Sequence, residues 1–166
     1  MLSSPYFLEP LLEQEDWARL LRAASGSRYP CRDRAILHLL WWLALTVQDV
    51  LTLRVEDVDF LAGRIRWGGG RHVGVLPPEA LRSLTAYSSM ERAPRCPALF
   101  GDAHGRALSP AHLSRIVQRH AAAAGVRTSP HTLRMSALYR LLARQPLHVL
   151  LTLRAEGGGA LVRRAE

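Results

Sequence analysis

The sequence predicts a mainly α domain with one small antiparallel β-sheet, an α+β fold, and three observations predict it. Apolar residues recur at helical spacing in several separate stretches, most of them bounded by Pro, Ser-Pro or Gly signals. Only two short stretches read as strands, and three consecutive glycines separate them. The chain has 166 residues, 48% hydrophobic and 22% charged, which is enough for one real core and too little for several domains.

The first helix is expected over Glu13 to Ala24, where Trp17, Leu20, Leu21 and Ala24 fall on one face and Gly26 stops the pattern. Arg32 to about Leu45 is apolar almost all round, the signature of a helix at the centre of a core, and Trp41 and Trp42 are read as core, or at most as a partner-facing patch. A short helix around Gln48 to Leu53 leads into the acidic segment VEDVDF. Arg64 to Trp67 and Arg71 to Leu76 form a hairpin with a loose tip at Gly68, Gly69 and Gly70. Pro77 and Pro78 open a helix carrying Leu81, Leu84 and Tyr87, because Pro suits a first helical turn.

Ser88 to Leu108, rich in Pro and Gly, is expected to be loop with no helix. Ser109 and Pro110 start a helix to about Ala124, with Leu113, Ile116, Val117, His120 and Ala121 inward and Arg115, Gln118 and Arg119 outward. Ser129 and Pro130 start another, ended by Gln145 and Pro146. A last short helix is expected over Leu147 to Leu153, and residues 155–166 are expected to be a flexible tail. No repeat or long linker divides residues 1–166, so one domain is expected.

All 22 basic residues are Arg, and against 14 acids they leave a formal charge of +8. Such a balance suits a polyanion, and nucleic acid is the first candidate because fixed cations release counterions from phosphates. A genome rich in G and C enriches Arg, Ala, Gly and Pro together, so charge alone leaves both explanations standing. Cys31 and Cys96 are too few and too far apart for a disulfide framework or a zinc site, so no metal or cofactor is expected. The most apolar run, Ala35 to Leu45, contains His38 and is shorter than the roughly 20 residues of a membrane span. The acidic N-terminal stretch does not resemble a signal peptide. A cytoplasmic protein without membrane contact is expected.

In SPHTLR, residues 129–134, Ser129 can cap a helix and Pro130 can occupy its first turn. His131 and Arg134, three apart, then share a face near the positive end of that helix, where both could seek phosphate. His104, His112 and Asp102 lack metal-ligand spacing and are read as solvent-facing polar residues.

The stretches RDRAILHLLWWLAL, DVLTLRVEDVDF, GRIRW with its Gly-rich turn, VGVLPPEALRSL, LFGDAHGRALSPAHLSRIVQRHAAAAGV and SPHTLR, taken in order, resemble the catalytic domain of the tyrosine recombinase, or phage integrase, family over about Leu11 to Leu153. The resemblance implies a helical bundle edged by a three-stranded sheet, with the DNA-clamping N-terminal core-binding domain of the family absent. It also implies attack by a Tyr hydroxyl on a DNA phosphodiester, two Arg and His or Trp donors on the phosphate, and a hairpin Lys protonating the leaving oxygen.

Set against that pattern, His131 and Arg134 match the family's His-x-x-Arg, whereas Thr46 falls at the first Arg, with Asp49 at the following acidic turn. A hydroxyl cannot replace a charged, bidentate guanidinium. The Lys position falls at Trp67 or Gly68, and the sequence contains no Lys. The second His or Trp position falls at about Glu156 and the nucleophile near Ala165, and no Tyr follows Tyr139. Tyr139 lies about 140° around the helix from Arg134 and is read as structural or surface. Tyr87 and Tyr29 are expected to pack away from the cleft, Tyr6 precedes the domain, and Arg54 is expected to be structural.

The resemblance therefore implies a catalytically inactive recombinase-like protein that binds double-stranded DNA. His131 and Arg134 are its retained phosphate contacts, and Arg64, Arg66, Arg71, Arg115 and Arg119 its backbone contacts. Two alternatives remain: an interaction module that docks on an active recombinase or self-associates, and a recombinase subunit using a Tyr supplied in trans.

Overall fold

Helix α2, Pro30–Leu43, runs through the middle of the molecule, with Ala35, Ile36, Leu37, Leu39, Leu40 and Trp41 wholly buried. The computed structural model describes residues 11–143. Around α2 pack α1 (Gln14–Ser25), the short α3 (Val47–Thr52), α4 (Pro78–Ala86), α5 (Pro110–Ala124) and α6 (Pro130–Ala143). Each fully buried Leu, Ile or Trp here contributes about 2 kcal/mol of apolar burial, so this one helix anchors the core. Trp17 of α1 stacks on Trp41 with centroids 4.8 Å apart, while Trp42 is only half-buried. The expected helix at 147–153, its Gln145-Pro146 stop and the tail at 155–166 lie outside the described residues.

The expected hairpin forms as β2 (Arg64–Trp67) and β3 (His72–Val75), paired antiparallel with Arg64 opposite Val75 and Arg66 opposite Val73. A two-residue strand β1 (Val58–Asp59), reached through a 3₁₀ turn at Val55–Asp57, adds to β2 and completes a three-stranded sheet. Alternation puts Ile65, Trp67 and Gly74 against the core and Arg64, Arg66, Val73 and Val75 outward. Gly74 is required by close approach, because a Cβ there would lie 3.0 Å from the Trp67 ring. Gly68, Gly69 and Gly70 all have positive φ, which makes the tip a tight reversal rather than a slack loop.

The expected loop from Ser88 to Leu108 holds from Arg92 onward and fails over Ser88–Glu91. Helix α4 does not end at Tyr87 but widens into a π-helical turn, Tyr87–Glu91. The reason is tertiary: the Glu91 carboxylate accepts from the backbone N–H of Cys31 at 2.9 Å and of Arg32 at 2.8 Å, so it satisfies the first turn of α2. Tyr87 is buried on Phe100 and its hydroxyl accepts from the Gly101 N–H at 3.1 Å, which holds the following loop. Arg92 then donates to the carbonyls of Leu99 and Ala98 at 3.2 and 3.1 Å, stitching that loop to itself.

Candidate functional site

Ser109 and Ser129 cap their helices as expected: the Ser109 hydroxyl accepts from the His112 N–H at 3.2 Å and that of Ser129 from the Thr132 N–H at 3.1 Å. His131 thus stands exposed in the first turn of α6, and Arg134, half-buried, lies one turn further on. Arg134 donates from Nε to the carbonyl of Ala44 at 3.1 Å. Ala44 ends α2 in the left-handed region at φ 52°, a conformation costing a non-glycine residue about 1 kcal/mol. That reversal turns the chain from α2 into α3 and aims the carbonyl at α6.

Two residues on, Thr46 caps α3. Its hydroxyl accepts from the Asp49 N–H at 3.0 Å and donates to the Asp49 carboxylate at 2.6 Å, and the Thr46 N–H donates to that carboxylate at 2.9 Å. Both side chains at the turn are therefore occupied in starting α3. Trp67 is buried beside His72, ring centroids 5.6 Å apart, so that position presents an apolar ring to the core. Tyr139 is exposed on α6, whereas Tyr87 belongs to the core. Arg54 is exposed and pairs loosely with Glu56 at 3.7 Å. Tyr6, Glu156 and Ala165 lie outside the described residues.

The five backbone-contact candidates fall into two groups. Arg64 and Arg66 line a concavity of about 690 Å³ that also contains Glu56, Asp57 and Asp59, and Arg66 donates to the Glu56 carbonyl at 3.1 Å. Arg71 projects at the hairpin tip with its Nε bonded to the Gly68 carbonyl at 2.8 Å. On α5, Arg115 and Arg119 line a second concavity of about 650 Å³ with His112, Ile116 and Gln118. Arg119 is not simply an outward-facing side chain: it donates to the buried carboxylate of Asp33 at 2.9 Å.

Asp33, Arg32 and His120 form a buried polar cluster that sequence reasoning missed. The Asp33 carboxylate accepts from Arg32 Nε at 2.9 Å, Arg119 Nη2 at 2.9 Å and His120 Nε2 at 2.8 Å, which fixes the proton of His120 on Nε2. Burial pushes the Asp33 carboxyl up, but the His120 bond and the Arg32 charge outweigh it and hold the group below the usual carboxylate range. The available signal was His120 at an inward position of an amphipathic helix, since a buried imidazole requires a partner.

His112, partly covered beside Arg32 and Arg115, is held below its ordinary value by desolvation first and by those two cations next. Asp102 accepts from the N–H groups of Arg106 and His104 and from the Arg106 side chain, which pulls its carboxyl down to about 2. It orders the loop. Among the described residues no three His, Cys, Asp or Glu side chains are grouped to hold a metal, and no helix is long and apolar enough to cross a membrane.

Comparison with known proteins fits this architecture. The sequence profile described as the phage integrase family matches residues 10–153. Tyrosine recombinase XerA of Pyrococcus furiosus is 29% identical over 146 residues, covering 84% of this chain and 50% of the relative. Tyrosine recombinase XerD of Oceanobacillus iheyensis is 30% identical over 146 residues, covering 81% and 49%. The chain therefore spans about half the length of these curated relatives. Among solved structures, XerA recombinase superposes with TM-score 0.72 at 22% identity, over 84% of this chain and 54% of that one. XerH recombinase bound to a palindromic difH substrate superposes with TM-score 0.69 at 22% identity, over 93% and 48%. With the helical bundle, the three-stranded sheet and the profile in agreement over most of its length, this chain belongs to the phage integrase family and carries the catalytic-domain fold of the tyrosine recombinases.

Proposed function

We propose that this chain binds double-stranded DNA through phosphate contacts and does not cut it by itself. One observation carries the second half. Thr46 stands where the family resemblance puts the first Arg, and its hydroxyl is engaged in a capping box with Asp49, two residues from the carbonyl that holds Arg134. Cleavage needs charge stabilisation on the nonbridging oxygens and a proton for the leaving oxygen. Arg134 supplies one guanidinium, no Lys exists anywhere in the sequence, and the nucleophile position falls near Ala165.

The binding half is supported by the +8 formal charge and by the DNA-bound state of a structural neighbour, the XerH complex. On this reading His131, Arg134, Arg64, Arg66, Arg71, Arg115 and Arg119 contact phosphates, which position a duplex without reading its sequence.

A labelled duplex titrated between low and moderate salt tests binding, and a nicked suicide duplex tests cleavage. The expected results are affinity that falls with salt at a log–log slope of about −4 or steeper, and no covalent adduct. Affinity unchanged by salt, or absent throughout, removes the DNA reading, and self-association indifferent to DNA then favours an interaction module. A covalent adduct removes the inactivity reading and points to a Tyr supplied by this or a partner chain.

A further inference from the structure

The two concavities described above differ in their electrostatics, and the one on α5 is the open one. The one at the sheet sets Glu56, Asp57 and Asp59 against Arg64 and Arg66, so its cations are compensated on the spot. The α5 groove is lined by His112, Arg115, Ile116, Gln118 and Arg119, with no carboxylate among them. Asp102, whose charge also reaches His112, is paired with Arg106 at 3.0 Å.

Beneath this groove lies Asp33, fully buried and bonded to one Nη of Arg119. An ion pair would ordinarily cancel the charge that a phosphate needs. Here Arg32, itself 4% exposed, already balances the carboxylate at 2.9 Å, so the trio of Arg32, Asp33 and Arg119 keeps one net positive charge. That charge sits on the member facing water, since the Arg119 side chain remains 58% exposed. A guanidinium has five N–H donors in a rigid plane, so it can give one edge to a buried carboxylate and keep the rest for a ligand. Holding the fork in place beforehand removes most of the rotamer entropy that a long surface side chain otherwise loses on binding.

We propose that the α5 groove is a phosphodiester cradle in which buried Asp33 is a positioning residue, fixing the Arg119 fork for the phosphate while Arg115 supplies a second cation. Desolvation and two neighbouring cations keep His112 neutral near pH 7, so it serves as a hydrogen-bonding wall and not as a charge. This proposal rests on the duplex-binding reading above and goes beyond it by assigning the anchor and the group that orients it.

The test is fluorescence anisotropy with a labelled duplex of mixed sequence, at several salt concentrations, on wild type, Arg119→Ala, Arg119→Lys, Asp33→Asn and the Asp33→Asn/Arg119→Ala double variant, each checked for folding by circular dichroism. Arg119→Ala is expected to weaken binding about tenfold and to reduce the salt slope by about one. Arg119→Lys keeps the charge but cannot bond Asp33 and a phosphate through one rigid plane, so it too should lose about fivefold. Folded Asp33→Asn should lose about fivefold, and adding it to Arg119→Ala should cost nothing further, an outcome that a merely structural role would not give. Arg119→Lys binding like wild type overturns the proposal, and so does an Asp33→Asn loss that persists undiminished in the Arg119→Ala background. If Asp33→Asn does not fold, Arg119→Lys alone decides. A wild type that binds no duplex at any salt removes the DNA reading itself, whereas wild-type binding with an unaffected Arg119→Lys removes only the cradle.

Discussion

His120 of α5 donates to Asp33 of α2 at 2.8 Å, across 87 residues of sequence, and both side chains are buried. With the Arg119 bond to the same carboxylate it ties α5 to α2, and it belongs to a cluster in which Arg32 is equally hidden. Removing the acid strands a buried cation, whereas removing the imidazole leaves the carboxylate with two guanidinium partners. Asp33→Leu should therefore destabilise the fold by about 3–5 kcal/mol and His120→Leu by about 1–3 kcal/mol. Urea unfolding of the two variants measures the order, and equal costs would contradict it. Because the Asp33 carboxyl is depressed, this contribution is present above about pH 4 and lost only as pH falls through its still lower folded value.

His38 predicts a different acid sensitivity. It is 1% exposed, packs edge-on against Trp17 at 5.3 Å, and among the described residues neither ring nitrogen has a hydrogen-bond partner. Desolvation first, then the Arg34 and Arg82 charges, lower its pKa from 6.5 to about 4, with Glu79 of α4 opposing them. The folded state holds His38 neutral while the unfolded chain takes up a proton below pH 6.5, so stability falls between pH 6.5 and 4. At pH 5 the wild type should be less stable than at pH 7.5 by about 2 kcal/mol on this account alone. His38→Leu should remove that component, and chemical unfolding of both proteins at the two pH values checks it.

The turn at Ala44 stores a small strain. Ala44→Gly should relieve the positive φ and stabilise by about 1 kcal/mol or less, seen as a Tm rise of a few degrees. If the turn also serves Arg134, duplex affinity should stay the same, because the carbonyl that accepts from Nε is retained.

Thr46 should behave as a cap and nothing more. Thr46→Ala is expected to cost about 1 kcal/mol in stability through loss of the Asp49 bonds, with duplex affinity unchanged. Parallel melting and anisotropy measurements separate the two, and a tenfold loss of affinity without a change in melting would assign Thr46 to the DNA contact instead.

At Gly74 the prediction is steric. A Cβ would lie 3.0 Å from the Trp67 ring and 3.2 Å from Leu43, so these two buried side chains would have to give way. Gly74→Ala should destabilise by about 1–3 kcal/mol, measured by thermal or urea melting.

Much of this molecule was determined by local chemistry that the sequence displays openly. Ser109-Pro110 and Ser129-Pro130 start helices because a serine oxygen satisfies an orphan N–H and proline tolerates the first turn, and the all-apolar face of Ala35 to Trp41 can only be buried. The position of His131 and Arg134 on α6 followed from the same rules. The tertiary structure alone decided what depends on groups far apart in the chain. It continued α4 to Glu91 because the α2 N-terminus needed an acceptor, and it added β1 to a sheet too short to be seen by periodicity. It also turned Arg119 from a free surface charge into one tethered to Asp33, and divided the basic residues between a compensated concavity and an open one. Local pattern fixes which backbone conformations are cheap. Only folding shows which buried charges and unpaired N–H groups find each other, because that is settled by proximity in space and not by spacing in sequence.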